Sequence, residues 1–153
     1  MRVLFADFDG VINSHDFPRG DEFPPIWFDT RLVTKLNDII RDTDIKVVVS
    51  SDWRLGRSIN QLQGMLEDYG FIGEIIGVTG AACDLFGHQC PSELERERVW
   101  EINDWLAEHP AVTMWCAIDD LDLGALSNFV LTDFRTGISD ENVQQARAFF
   151  AQQ

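Results

Sequence analysis

Near the amino end, Val3-Leu4-Phe5-Ala6 runs directly into Asp7-Phe8-Asp9-Gly10, and Val11-Ile12-Asn13 follows. The apolar run is too short for a helix and reads as a buried strand. Side chains alternate faces along a strand, so Asp7 and Asp9 leave it on the same side. Gly10 then allows a turn that gathers both carboxylates around one point. Two such charges repel unless a cation sits between them, and oxygen ligands of this kind suit Mg²⁺. The competing reading is an Asp-Gly hairpin turn with both acids in water. The remainder of the chain decides between the two.

Residues 13–28 contain three of the five prolines and no clean periodicity, which predicts a surface loop or minimal cap. Asp29 is placed to cap a helix from Thr30 to about Arg41, with Leu32, Val33, Leu36, Ile39 and Ile40 on one face. The β-branched run Ile45 to Ser50 predicts a second buried strand. A loop at Ser51-Asp52-Trp53-Arg54 precedes a helix from about Ser58 to Tyr69, stopped by Gly70. Glu74 to Val78 reads as a short third strand, and residues 79–91 as an irregular connection. Ser92 is expected to cap a charged helix reaching about Glu108, with Val99, Ile102 and Leu106 on its apolar side. Val112 to Ile118 reads as a fourth strand ending at Asp119-Asp120, and Asn128 to Thr132 as a fifth. Asp140 is expected to cap a last helix through Phe150. Strands alternating with helices predict an α/β fold, a mostly parallel five-stranded sheet with helices on both faces.

A length of 153 residues suits one domain with one well-buried core, spanning 1–153. No apolar run approaches the roughly 18 residues of a membrane span. The short apolar run ending in acids does not make a signal peptide. The expectation is a cytoplasmic protein without membrane contact. Cys83, Cys90 and Cys116 are odd in number and lack a disulfide-like spacing, in keeping with a reducing compartment. Cys83, His88 and Cys90 have no evident fourth partner for zinc, so buried or half-exposed thiols are the preferred reading. Twelve Lys and Arg stand against 26 Asp and Glu, a net charge of −14, which argues against gripping extended duplex nucleic acid. A local pocket for one phosphate remains compatible with that balance.

In a sheet of this kind ligands collect at the carboxyl ends of the strands. Three predicted strand ends carry suitable side chains: Asp7 and Asp9, Ser50 and Ser51, Asp119 and Asp120. Here the chain resembles the haloacid dehalogenase (HAD) superfamily of phosphohydrolases. An apolar strand followed by D-x-D-G is matched by Asp7-Phe8-Asp9-Gly10, and a strand ending in Ser or Thr by Val47-Val48-Val49-Ser50. The basic residue at the start of a later helix is matched by Arg98, an Arg where Lys is more usual. A strand ending in acids is matched by Ala117-Ile118-Asp119-Asp120. Within that superfamily the chain is similar to the small HAD domains of Swiss Army Knife RNA repair proteins. Ser50-Ser51-Asp52-Trp53-Arg54 and Thr136-Gly137-Ile138-Ser139-Asp140 carry this closer likeness. The resemblance implies a three-layer Rossmann-like fold without a sizeable cap domain.

It also implies roles. A phosphate monoester is anionic, so an anionic nucleophile approaches only if cations neutralise the phosphoryl oxygens. Mg²⁺ held by Asp7, the main-chain carbonyl of Asp9 and the Asp119-Asp120 pair fits that need. Asp7 is implied as the nucleophile forming an aspartyl-phosphate, and Asp9 as the acid and then the base. Ser50 or Ser51, with Gly10, is implied at the phosphoryl oxygens, and Arg98 as a fixed positive charge. Arg96 is the substitute if the helix is rotated. For each the bland alternative stands beside it: helix capping for the serines, pairing with Glu95 or Glu101 for Arg98, and a solvated turn for Asp119-Asp120.

Arg54 and Trp53 are candidate substrate contacts, Trp53 by stacking on a base or sugar. The alternative for Trp53 is an aromatic anchor for its loop. Arg57 reads as a surface residue and His15 as a lone exposed histidine. The function that follows is a Mg²⁺-dependent phosphatase on a phosphorylated substrate, with an RNA or DNA end favoured by the resemblance. The alternatives are a nucleotide or sugar phosphatase, and a receiver-like or silent binding module on the same scaffold.

Overall fold

A computed structural model describes residues 1–20, 25–80 and 91–151. Among them are the strands β1 (Arg2–Ala6), β2 (Lys46–Val49), β3 (Ile75–Val78), β4 (Met114–Asp119) and β5 (Phe129–Leu131). The helices are α1 (Thr30–Ile40), α2 (Ile59–Glu67), α3 (Pro91–Glu108) and α4 (Asp140–Ala151), with a 3₁₀ turn at Asp52–Arg54. The sheet order is β3-β2-β1-β4-β5, and every neighbouring pair is parallel. The expectation of a mostly parallel sheet is thus met in full by the described strands. Even β4 and β5 run the same way, and their short connection buries Leu123 and Leu126 where a helix would otherwise lie.

Alternation along the strands builds two cores. Leu4 and Ala6, Val47 and Val49, and Cys116 and Ile118 join the apolar faces of α1, α2 and α4. Val3, Phe5, Val48 and Ala117 join Ile102 and Trp105 of α3 on the other side. Phe5 meets Trp105 and Trp115 edge-on, with centroids 5.3 and 6.0 Å away. The β1 and β2 runs therefore read as near-continuous apolar sequence because both faces are covered.

Local chemistry sets the helix ends. Asp29 caps α1, accepting from the Arg31 amide at 2.9 Å and from its guanidinium at 2.7 Å. Burial pushes the Asp29 carboxyl up, but the Arg31 hydrogen bonds outweigh it and the group ends below the usual range. Ser58 and Gln61 close a capping box at α2, and Gly70, at φ +86°, ends the turn that follows. Two expected caps are corrected. Helix α3 begins at Pro91, so Ser92 lies inside it; proline suits a first helical position because its missing N–H would have no partner there. At α4 the cap is Ser139 rather than Asp140. Its hydroxyl accepts from the Asn142 amide at 3.1 Å while the Asn142 side chain accepts from the Ser139 amide at 3.0 Å. That reciprocal pairing decides between two adjacent capping residues.

Main-chain bonds continue one residue past the strands. Asp7 donates to Ile118 (3.1 Å), Ser50 to Ala6 (2.9 Å), Thr79 to Val49 (3.0 Å) and Thr132 to Asp119 (2.9 Å). The ladder thereby fixes Asp7, Ser50, Thr79 and Thr132 along one rim, beside Asp119. Strand order reverses between β1 and β4, so a crevice opens there. Cys116 is buried, and burial pushes its thiol up to about 12. Cys83, His88 and Cys90 lie outside the described residues. Among the described residues no helix is long and apolar enough to cross a membrane.

Candidate active site

Asp7, one residue past β1, is only 5% exposed. Its Oδ1 accepts from the Phe8 amide at 2.7 Å and faces Arg98 Nη1 at 3.6 Å. Burial raises the Asp7 carboxyl above its ordinary value, against the pull of Arg98, the Ser51 hydroxyl and the Phe8 amide; Asp9 adds to the rise. After Asp7 the chain turns at Gly10, whose φ is +70°. A Cβ there would lie 2.6 Å from both Cβ and Cγ of Asp120. Gly10 thus serves the turn twice, by its backbone and by the space it leaves for a carboxylate that follows β4. Its carbonyl accepts from the Thr132 hydroxyl at 2.7 Å, at the end of β5.

One oxygen each from Asp7, Asp119 and Asp120 lies within 4.8 Å of the others. Asp119 is buried; its Oδ1 accepts from the Leu121 amide at 2.9 Å and its Oδ2 from Arg98 Nη1 at 3.0 Å. Burial first, then Asp7, pushes Asp119 well up. The same two causes raise the half-buried Asp120 to about 6. Three hard oxygen donors whose proximity penalises their own ionisation fit a Mg²⁺ ion, which needs oxygen ligands close around it. The Asp9 carboxylate is not among the three. It accepts from Asn13 Nδ2 at 2.7 Å, and both its oxygens accept from the Trp53 indole N–H at 3.1 Å. Asp9 is exposed, at the mouth of the cleft.

Helix α3 supplies the positive charge. Spacing places Arg98, Glu101, Ile102 and Trp105 on one face, and all four are buried. Arg98 donates to the Ser50 carbonyl and to Asp119, and it lies 3.8 Å from both Asp52 and Glu101. Arg96 is exposed and lines a separate surface depression with Trp100 and Asp122. Ser51 caps the 3₁₀ turn and bonds the Asp7 carboxylate. The buried Ser50 hydroxyl has no hydrogen-bond partner among the described residues.

Arg54 is 6% exposed and ties the rim together. It donates to the carbonyls of Thr79 (3.0 Å) and Gly80 (3.1 Å) and to Glu101 (2.8 Å). Trp53 sits among Phe8, Phe28 and Trp27, with Arg57 Cζ 5.2 Å from the centroid of its ring. His15 is exposed, paired with Asp16 at 3.0 Å and set against Phe134.

The cleft over the β1–β4 crevice has a volume of ≈ 190 Å³. Among the described residues, Asp7, Asp9, Asp52, Glu97, Glu101 and Asp120 line it against Arg54 and Arg98. So acidic a lining repels a phosphate monoester unless further positive charge enters with it. Two participants had no signal in sequence spacing: Asn13 on Asp9 and Thr132 on Gly10. Glu101, between two arginines, had one, since it stands three positions from Arg98 and shares the face of Ile102 and Trp105.

Comparison with curated proteins and with solved structures found no match. A family model described as the HAD domain in Swiss Army Knife RNA repair proteins matches residues 3–143, from β1 into α4. That stretch takes in every strand of the sheet and the whole acid-lined rim, and on it the chain belongs to the HAD domain family of Swiss Army Knife RNA repair proteins.

Proposed function

We propose that the protein is a Mg²⁺-dependent phosphatase that hydrolyses a phosphate monoester on the end of an RNA strand. The observation that carries the reading is the meeting of Asp7, Asp119 and Asp120 within 4.8 Å beside the buried Arg98. Asp7, Asp119 and Asp120 would hold the ion, with the main-chain carbonyl of Asp9. Mg²⁺, when bound, supplies positive charge that offsets the phosphoryl oxygens and the acidic lining.

The chain's own groups then divide the work. An Asp7 oxygen attacks phosphorus as the bond to the leaving oxygen breaks, giving an aspartyl-phosphate. Asp9, exposed beside the cleft and held by Trp53 and Asn13, delivers its proton to the leaving oxygen. Its carboxylate next takes a proton from water, whose oxygen displaces Asp7 from phosphorus and releases inorganic phosphate. Arg98 fixes Asp7 and Asp119 in place and offers its charge to the phosphoryl group. Ser51 orients Asp7, and the Ser50 hydroxyl is a donor for a phosphoryl oxygen.

The test is a phosphate-release screen with Mg²⁺ over RNA ends, DNA ends, nucleotides and sugar phosphates. Release from RNA ends that stops in EDTA is expected. Asp7→Asn is expected to abolish turnover while preserving the circular-dichroism spectrum. Undiminished release in EDTA, or wild-type turnover by the Asp7→Asn variant, would overturn the assignment. Faster release from nucleotides or sugar phosphates than from strand ends would replace the substrate.

A further inference from the structure

The position of Asp9 limits where the leaving group lies. A carboxyl that protonates the leaving oxygen must reach it within hydrogen-bond distance, so the first atoms beyond that oxygen settle next to Asp9. The neighbour of Asp9 on the outer side is Trp53, whose N–H holds both carboxylate oxygens at 3.1 Å. Trp53 in turn meets Trp27 edge-on, with centroids 5.6 Å apart. Trp27 is 41% exposed although it is a large aromatic, and its main-chain N–H is fixed by the Tyr69 hydroxyl at 2.8 Å. Arg57 lies against the Trp53 ring and donates to the Trp53 carbonyl at 3.0 Å, which places an exposed cation beside the aromatic pair. In a chain with a net charge of −14, an exposed cation and an exposed indole that both pack on the residue holding Asp9 are a specific arrangement.

We propose that Trp27 and Arg57 form the leaving-group subsite of this active site and take an oligonucleotide: the terminal base stacks on Trp27 and Arg57 meets the next phosphodiester. The inference rests on the phosphatase reading for the place of Asp9. The chemistry suits a nucleic-acid strand because every base has a face that stacks on an indole, whereas sugar phosphates lack one. The adjoining cation answers the backbone charge that a single nucleotide does not carry. Among the described residues the site is a platform beside the cleft, which accommodates a strand that continues into solvent. Trp53 has a different part. Phe28 packs tilted against its ring and Arg57 lies over it, so it positions Asp9 and supports Trp27.

The experiment compares the wild-type chain with Trp27→Ala, Trp27→Phe and Arg57→Ala. Each is given a short oligoribonucleotide phosphorylated at its 5′ or its 3′ end, and glycerol phosphate as a monoester with no base. The ratio of kcat/KM for oligonucleotide over glycerol phosphate is expected to fall about 5- to 150-fold in Trp27→Ala and to recover in Trp27→Phe. Arg57→Ala is expected to flatten the logarithmic salt dependence of oligonucleotide binding by about 0.7, one phosphate contact. Fluorescence anisotropy of a labelled phosphorylated oligonucleotide reads binding without turnover. Weakened binding by Trp27→Ala with no turnover in any protein keeps Trp27 as an oligonucleotide contact but removes both its leaving-group role and the phosphatase reading. Turnover whose substrate ratio ignores Trp27 and Arg57 removes the subsite and leaves the phosphatase reading standing. An oligonucleotide that is neither bound nor cleaved removes both.

Discussion

Replacing Gly10 with alanine tests the geometry of the site at its tightest point. The backbone there is left-handed, at φ +70°, where a Cβ costs about 1–2 kcal/mol. In a domain of this size that is a fall in Tm of roughly 2–8 °C. The new methyl would also stand 2.6 Å from Asp120 Cβ and Cγ, closer than carbon atoms approach. Rotating the half-buried Asp120 side chain moves its Cγ but not its Cβ, so the main chain must shift as well and the fall in Tm exceeds that backbone figure. The shift carries one of the three carboxylates away from the other two. Gly10→Ala is therefore expected to melt lower without metal and to gain less from Mg²⁺ than the wild type, since ligand stabilisation follows affinity. Differential scanning fluorimetry over a Mg²⁺ series, with EDTA as the zero point, measures both. An unchanged Tm in EDTA would refute the backbone argument. A lowered Tm with the full Mg²⁺ gain would refute the coupling of Gly10 to Asp120.

Two further predictions concern the same acids. Asp120 has a folded-state value of about 6 against an ordinary 3.8, so the folded protein binds its proton more readily than the unfolded chain. Without metal, stability should rise as the pH falls through 6 toward 3.8, and Asp120→Asn should remove that share. Because the group is about half exposed, solvent screening limits its share to on the order of 1 kcal/mol. Asp29, held below the usual range, works in the opposite sense but loses its contribution only at lower pH. Urea melts in EDTA from pH 7 to 4 check the slope, and a wild-type stability that tracks Asp120→Asn throughout would refute it. Trp53→Phe keeps a ring among Phe8, Phe28 and Trp27 but deletes the N–H that holds Asp9. Turnover should drop on the order of 10-fold or more, with a changed pH profile and a Tm close to wild type. An unaltered profile would separate Trp53 from Asp9.

What the sequence revealed and what it hid follow from the range of each interaction. The strands and the α1 face are local patterns, and they stand where periodicity placed them; on α2, Leu62 and Leu66 are buried as their spacing expects but Ile59 is exposed. Arg98 was ambiguous with Arg96 because a charge on an apolar helical face reads as a surface residue until its partners are known. Those partners, Asp7, Asp119 and the Ser50 carbonyl, come from three different strand ends. The choice of Ser139 over Asp140 needed the side chain three residues on, and Ser92 was displaced by the proline before it. The two short segments that carry the closer family likeness have structural reasons. Trp53 fixes Asp9 and Arg54 joins the end of β3 to α3, while Gly137, at φ +76°, fits where a Cβ would meet Leu32 at 2.5 Å and the Val11 carbonyl at 2.9 Å.

The hydrogen bond from Thr132 to the Gly10 carbonyl joins residues 122 positions apart, and the Ile138 amide adds a bond to the neighbouring Val11 carbonyl at 3.0 Å. Translation therefore delivers the acid pair long before it delivers these two clamps. A nascent chain carries both aspartates on a turn that nothing yet holds to β5. The geometry of the acid site is completed only once the segment after β5 has been made, so a lesion in that segment would reach the loop of Asp7 and Asp9 without touching either carboxylate.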